Sequence, residues 1–160
     1  LEVVNVDMAR GALETGQRNH AANGLAGGRF LPHDVWKSRG ALRRRGPFDL
    51  VVLDPPTFQR GSFEAERDWP RLLRRLEELL RPGGRALLLV NSPFLGVACF
   101  EGWRRELAPT LAFETRLEGS PDFPELDPER GLKALVWKGP LAGGAGEDVE
   151  GDAAQPVRGA

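Results

Sequence analysis

Apolar and polar residues alternate along the chain in blocks that predict β-strands and α-helices in turn. The first half predicts a strand through Val3–Val6 that ends at Asp7, a helix stopped by Asn23-Gly24, a strand over Gly28–Asp34, a brief helix or turn, and a strand over Phe48–Leu53. The last run is continuous rather than alternating, which favours a parallel strand buried on both faces.

The second half continues this alternation and then closes on two strands. A helix is predicted from about Asp68, which can cap it, with Pro70 in its first turn and a leucine stripe along one side. There follow a strand over Arg85–Val90, a helix over Pro93–Leu107 and a final pair of strands over Leu111–Gly119 and Gly131–Gly139. The order predicts an α/β fold with a mostly parallel sheet and an antiparallel final hairpin.

Composition separates a folded part from a tail. The 160 residues are 41% hydrophobic and 28% charged, which is ordinary for a globular protein with one core. After Gly139 the residues shift to glycine, alanine, aspartate and glutamate, which predicts a domain over 1–139 and a disordered tail over 140–160. The chain starts at Leu1 inside a strand pattern, so we expect it to be cut from a longer protein at its amino terminus.

Charge and cysteine content narrow the choice of partners and compartment. The net charge of −1 gives the chain no general affinity for nucleic acid, and arginine clusters such as Arg43–Arg45 are usually solvated faces. A single cysteine, Cys99, cannot form an internal disulfide, which indicates a reducing, cytoplasmic compartment. No apolar run is long enough for a membrane span, and no signal peptide is visible.

The segment Asp54-Pro55-Pro56 places a carboxylate at the end of a predicted strand. Pro55 and Pro56 cannot donate to a sheet ladder, so the strand must stop there, and each proline biases the preceding residue toward an extended conformation. Asp-Pro alone is more often an ordinary turn. The residues at the ends of the neighbouring strands therefore decide whether this segment is an ordinary turn or part of a ligand-binding site.

Acidic or polar residues end four predicted strands: Asp7, Asp34, Asp54 and the pair Asn91-Ser92. Carboxyl ends of parallel strands meet at one edge of a sheet, and ligands of open α/β sheets bind at that edge. The pattern predicts a polar ligand held across the carboxyl edge.

Four segments resemble the second to fifth strand motifs of class I S-adenosylmethionine-dependent methyltransferases, in the right order: "VVNVD", "LPHD", "LVVLDPPTF" and "LLRPGGRALLLVNS". The stretch "NVDMARGALETGQRNHAANGL" followed by "DPPTF" resembles bacterial methyltransferases of large-subunit ribosomal RNA, which act on carbon 5 of cytosine or a ring nitrogen of guanine. The resemblance covers about residues 1–138 and implies a Rossmann-like methyltransferase sheet.

The resemblance also implies a binding site for S-adenosylmethionine. Asp7 would accept hydrogen bonds from the ribose hydroxyls of the cofactor, and Met8 would pack near its adenine. Asp34 would accept from the adenine amino group, with Val35 beside the ring. Asp54 could accept from the cofactor's amino group. The alternative for Met8 is an ordinary core position.

Three residues would form the catalytic part of this site. Asp54 and Pro55 would line the space between the sulfonium and the target base, and Phe58 would stack on that base after it has flipped out. The rigid Pro-Pro segment would hold the carboxylate in line for methyl displacement. The alternative for Phe58 is a hydrophobic plug beneath the loop.

The chain departs from the family pattern in two places. The glycine-rich turn expected about 20 residues before Asp7 is absent, together with the first strand, its helix and an RNA-binding domain. Relatives that methylate carbon 5 of cytosine carry a Ser-Cys-Ser segment after the fifth strand, where this chain has Asn91-Ser92-Pro93. Cys99 lies further on, within a predicted helix, where a small buried apolar role is the simpler one.

We therefore expect methyl transfer from S-adenosylmethionine to a base of ribosomal RNA, without a metal, and on nitrogen rather than carbon. Methylation of a protein or small-molecule amine is the alternative enzyme activity. A non-catalytic fragment, or degenerate binding module, is the third possibility. This chain alone is expected to be inactive, because the glycine turn that cradles the cofactor is missing.

Overall fold

A computed structural model describes residues 2–119, 121, 122, 124 and 126–141. Over these residues the elements are β1 (Val3–Asp7), α1 (Arg10–Ala22), β2 (Gly28–Pro32), a 3-10 turn (Val35–Lys37), α2 (Arg39–Arg43), β3 (Phe48–Leu53), β4 (Phe58–Gln59), β5 (Phe63–Glu64), α3 (Ala65–Leu73), α4 (Leu76–Leu79), β6 (Leu80–Asn91), α5 (Val97–Leu107), β7 (Ala112–Leu117) and β8 (Leu132–Lys138). This is the predicted α/β class. Positions 142–160 of the predicted tail lie outside the described residues.

Strands β1 and β2 form a parallel pair that α1 covers. Their register sets Val3 opposite Gly28 and Asp7 opposite Pro32, so both strands end at the same edge. The helix ends where predicted, since Gly24 takes a left-handed conformation with φ of 63° directly after the capping Asn23.

A second sheet contains four strands in the order β3-β6-β8-β7. Strands β3 and β6 are parallel, whereas β8 is antiparallel to both β6 and β7. The antiparallel final pair is therefore confirmed. Within the described residues, no ladder joins β1 to β3, so the two sheets are separate.

The core lies between the four-stranded sheet and helices α3 and α5. Trp69 of α3 meets Phe100 of α5 edge to face, with ring centroids 5.1 Å apart. Trp137 of β8 and Leu88 of β6 are fully buried against this cluster. Aromatic rings bury large apolar areas, so this packing is the main source of stability for the sheet that carries the Asp54 segment.

The prediction that β3 is buried on both faces is wrong. Leu50 and Val52 are 53% and 51% exposed, while Val51 and Leu53 pack against the core. The strand pairs with β6 on one side only, and no described helix covers its second face. An uninterrupted apolar run therefore marked an edge strand of the described sheet.

The prediction that Asp68 caps a helix from the first position is also wrong. The helix α3 begins at Ala65, and the Asp68 carboxylate lies one turn inside it, where it accepts a hydrogen bond from the Glu64 amide at 2.9 Å. Pro70 consequently lies within α3 rather than in its first turn. The hairpin of β4 and β5, which periodicity did not reveal, occupies the residues before it.

Candidate functional site

The carboxyl edge of the β1–β2 pair carries two acidic side chains at successive strand ends. The Asp7 Oδ1 atom accepts a hydrogen bond from the Ala9 amide at 2.7 Å, just before α1. The Asp34 Oδ1 atom accepts one from the Trp36 amide at 2.8 Å. Each carboxylate is fixed through one oxygen, and neither Oδ2 atom bonds to another described residue. Two carboxylates held in this way can accept bonds from hydroxyl and amino groups of a ligand.

Two apolar residues accompany these acids. Met8 follows Asp7 and is 46% exposed, which excludes the ordinary core position considered for it. Val35 follows Asp34, is half-buried, and packs against the core cluster. Arg75 of the α3–α4 junction donates to the Val35 carbonyl at 3.1 Å, so this short segment is held in place from the neighbouring helix layer.

The carboxyl edge of the second sheet carries the proline-rich segment. Asp54 follows β3 with an exposed side chain, and Pro55 is half-buried beneath it. The Thr57 hydroxyl donates to the Asn91 carbonyl at the end of β6. The backbone of the segment is thus fixed by proline geometry on one side and by a hydrogen bond to the adjacent strand on the other.

A small hairpin follows that segment. Strands β4 and β5 pair through a turn at Gly61, whose φ of 76° suits glycine, and the Ala65 amide donates to the Thr57 carbonyl at 3.0 Å. Phe63 is buried in the core, whereas Phe58 is 69% exposed. The hydrophobic plug beneath the loop is therefore Phe63, and Phe58 faces solvent.

A buried charge network holds the base of the hairpin. The Asp68 carboxylate is inaccessible to solvent and contacts Arg67 Nη2 at 2.5 Å and Arg71 Nη1 at 2.6 Å. Hydrogen bonding from Arg67 lowers the pKa of Asp68 far below its ordinary value, and the Glu64 amide and Arg71 add to this shift against the opposing effect of burial. The carboxylate is therefore ionised throughout the physiological range.

The same network reaches the segment that follows Asp34. The Arg71 guanidinium lies over the Trp36 ring at 3.9 Å, and Trp36 stacks on Phe63 with the two rings 6° from parallel. The segment that follows Asp34 and the hairpin are thus packed onto one helix. The sequence analysis missed this arrangement; its only local signal was an acid flanked by arginines one position before and three after.

A second buried charge supports the turn after β6. The Lys133 ammonium is inaccessible to solvent and donates to the carbonyls of Ser92, Glu129 and Gly131 at 2.7–2.8 Å. The Glu129 carboxylate accepts from the Val97 amide at the start of α5 and from Arg116, and these contacts lower its pKa. The turn between β6 and α5 is therefore held from both ends.

Cys99 lies in α5, as predicted, and is half-buried against the core cluster. Burial raises the pKa of its thiol, and the negative charge of Glu66 raises it further. A thiol in this setting stays protonated at neutral pH and is a poor nucleophile. The structure gives Cys99 a packing role.

The opposite, amino edge of the two sheets has a different character. A shallow cleft there is lined by Glu2, Arg29, Arg44 and Arg45. Glu2 pairs with Arg29 at 2.8 Å between well-exposed side chains. This cleft lies away from every predicted site residue, and exposed pairs of this kind contribute little energy.

Two general properties bear on what the site can hold. Among the described residues, no three histidine, cysteine, aspartate or glutamate side chains are grouped so that they could bind a metal ion. In the same part of the chain, no helix has the length and apolarity needed to cross a membrane.

The fold and the carboxyl ends of its parallel strands define the class of protein. Asp7 ends β1, Asp34 follows β2 and Asp54 follows β3, all at carboxyl ends of parallel strands. Domains of the α/β class bind ligands at such strand ends. A family model for S-adenosylmethionine-dependent methyltransferases matches residues 1–138. The chain therefore belongs to the family of S-adenosylmethionine-dependent methyltransferases.

Proteins similar to this chain include ribosomal RNA methyltransferases. Ribosomal RNA large subunit methyltransferase I of Aeromonas hydrophila is 35% identical over 106 residues, which cover 62% of this chain and 27% of that protein. A structure of SMU.776 complexed with SAH matches 86% of this chain and 39% of its own with a TM-score of 0.76 at 22% identity. RsmC of T. thermophilus, a 16S rRNA methyltransferase, matches with a TM-score of 0.59 at 24% identity, over 86% of this chain and 31% of its own. The chain thus spans about a quarter of the length of the curated relative.

Proposed function

We propose that the protein transfers a methyl group from S-adenosylmethionine to a base of ribosomal RNA, in the large subunit. The observation that carries this proposal is the 35% identity to a large-subunit ribosomal RNA methyltransferase. The exposed Phe58 beside the Asp54 segment supports it, because a base that has left its stack needs an aromatic surface. Ribosomal RNA as substrate agrees with a cytoplasmic location.

The acidic strand ends fit the nucleoside part of the cofactor. We assign Asp7 to the ribose hydroxyls and Asp34 to the adenine amino group, because each has one carboxylate oxygen not bonded to another described residue. Met8 and Val35 would supply the apolar contacts beside them. When bound, the cofactor supplies an electrophilic methyl group on a sulfonium.

The Asp54 segment would position the acceptor. Its carboxylate can accept a hydrogen bond from a base amino group or from the cofactor's amino group, and Pro55 would form a fixed wall beside it. Nitrogen is the favoured acceptor atom. Carbon 5 of cytosine needs a thiolate nucleophile, whereas burial raises the pKa of the Cys99 thiol.

We also propose that a further strand lies between β1 and β3. Among the described residues, each of these parallel strands has a partner on one side only, and Leu50 and Val52 of β3 are half exposed. An added parallel strand would join the two layers into one sheet and bring Asp7 and Asp34 to the same edge as Asp54.

The experiment is a transfer assay with the full-length protein, methyl-labelled cofactor and unmodified large-subunit ribosomal RNA. We expect label in one nucleoside after digestion, as an N-methylated base. Asp54→Ala should abolish most of it, while Asp49→Ala, at the amino end of the same strand and exposed, should retain it. Label in protein or a small amine instead would establish the alternative substrate. If the protein binds the cofactor but transfers no label, the third possibility, a non-catalytic binding module, holds.

A further inference from the structure

Phe94 is an exposed aromatic residue in a turn that is otherwise firmly anchored. Its side chain is 75% exposed, although the next residue, Leu95, is buried in the core and the preceding Ser92 is also buried. The Phe94 amide donates to the Ser92 hydroxyl. A ring held outward by an ordered turn loses little conformational entropy when it meets a ligand, which makes it a candidate contact.

Two charged side chains order the turn. The Lys133 ammonium donates to the Ser92 carbonyl at 2.8 Å, and the Glu129 carboxylate accepts from the Val97 amide at 3.0 Å. Gly96 lies under the same carboxylate, since a Cβ there would come within 2.9 Å of Glu129 Oε2. The backbone on both sides of Phe94 is therefore fixed, while its ring projects into solvent.

Phe94 belongs to the same edge as the Asp54 segment. The hydroxyl of Thr57, the residue before Phe58, donates to the carbonyl of Asn91, three residues before Phe94. Neighbouring parallel strands β3 and β6 thus each lead into an anchored segment with one outward phenylalanine. Phe58 and Phe94 are the most exposed aromatic residues recorded in the described part of the chain.

We propose that Phe94 contacts the RNA base that accepts the methyl group, or the base next to it, and so determines acceptor binding together with Phe58. This inference rests on the proposed function and adds a residue to it. Stacking on an aromatic ring suits any base because every base has a π-face, so the contact serves affinity more than sequence choice. The ring would bind the acceptor and leave the cofactor untouched.

The test compares full-length variants in the transfer assay and in RNA binding, with an unmodified large-subunit ribosomal RNA transcript as probe. Phe94→Ala should raise KM and the RNA dissociation constant about tenfold, as loss of one base–aromatic stack does. The cofactor dissociation constant should not change. Phe94→Trp should bind RNA about as tightly as wild type, since it keeps a π-face. Phe94→Leu should have an RNA affinity between those of wild type and Phe94→Ala.

Phe113→Ala is the matched control, because Phe113 is a partly exposed phenylalanine at the amino end of β7, opposite the proposed site. If RNA is methylated but Phe94→Ala behaves like this control, the inference is wrong and the proposed function stands. If the folded, cofactor-binding protein does not methylate RNA, the proposed function fails and the role of Phe94 fails with it.

Discussion

Removing the Asp68 carboxylate should destabilise the folded protein by about 3 kcal/mol. This buried group accepts from Arg67, Arg71 and the Glu64 amide. Both arginines are about half exposed and would regain water, so each contact counts for about 1 kcal/mol. The Glu64 amide would lose its acceptor near the core, which costs about 1–2 kcal/mol.

The free energy of unfolding that is lost in Asp68→Ala should also depend on pH. Because the folded-state pKa of Asp68 is lowered, its contribution is present at every pH above the unfolded value of about 3.9 and is lost as pH falls toward the folded value. The stability difference between wild type and Asp68→Ala should therefore stay constant from neutral pH down to about 5. It should shrink below about pH 4.

Urea unfolding of the full-length protein, followed by tryptophan fluorescence, measures both effects. Trp69 lies in the same helix and Trp36 contacts Arg71, so the network has local reporters. Glu66→Ala is the matched control, an exposed acid on α3 outside the network. A stability for Asp68→Ala within about 0.5 kcal/mol of this control would refute the assignment of Asp68 as a structural anchor.

Further predictions concern single substitutions and the isolated chain. Gly84→Ala should cost about 1–3 kcal/mol in urea unfolding, because its Cβ would lie 2.9 Å from the carbonyl oxygens of Phe48 and Arg81. Gly102→Ala in α5, with open space around the new Cβ, should be neutral or slightly stabilising in the same assay. Asp54→Ala should reduce turnover at least a hundredfold with unchanged stability, and Phe58→Ala should raise KM for RNA more than KM for cofactor; wild-type rates for both would contradict the site. Cys99→Ala should retain turnover, and loss of activity together with 5-methylcytidine in the wild-type product would reverse the choice of nitrogen. Residues 1–160 expressed alone should bind S-adenosylmethionine weakly or not at all in calorimetry, and micromolar affinity would count against the proposed further strand between β1 and β3.

Local sequence signals predicted the strand ends well. Asp7 ends β1 and Asp54 directly follows β3, whose end two adjoining prolines mark, whereas Asp34 lies two residues past Pro32, the last residue of β2. Register then brings the first two acids to one edge without further assumptions. Features that depend on few neighbouring residues could therefore be read from the chain directly.

Features that depend on distant residues could not be predicted from the sequence. The Lys133 ammonium meets the Ser92 carbonyl 41 positions away, and no local pattern distinguishes this lysine from a solvated one. The hairpin at Gly61 has strands of two residues each, too short for a periodicity. The open face of β3 depends on which elements surround it, because the run of apolar residues is the same for an inner strand.

Two buried charges explain how exposed phenylalanines can sit on ordered segments. Asp68 fastens the hairpin that carries Phe58, and Lys133 fastens the turn that carries Phe94, so neither ring needs to enter the core to be held. A contact ordered in advance loses less conformational entropy when a ligand binds. It follows that replacing a buried anchor residue and replacing an exposed phenylalanine should have different effects on the protein. Anchor variants should lower stability and affinity together, whereas ring variants should lower affinity for RNA alone.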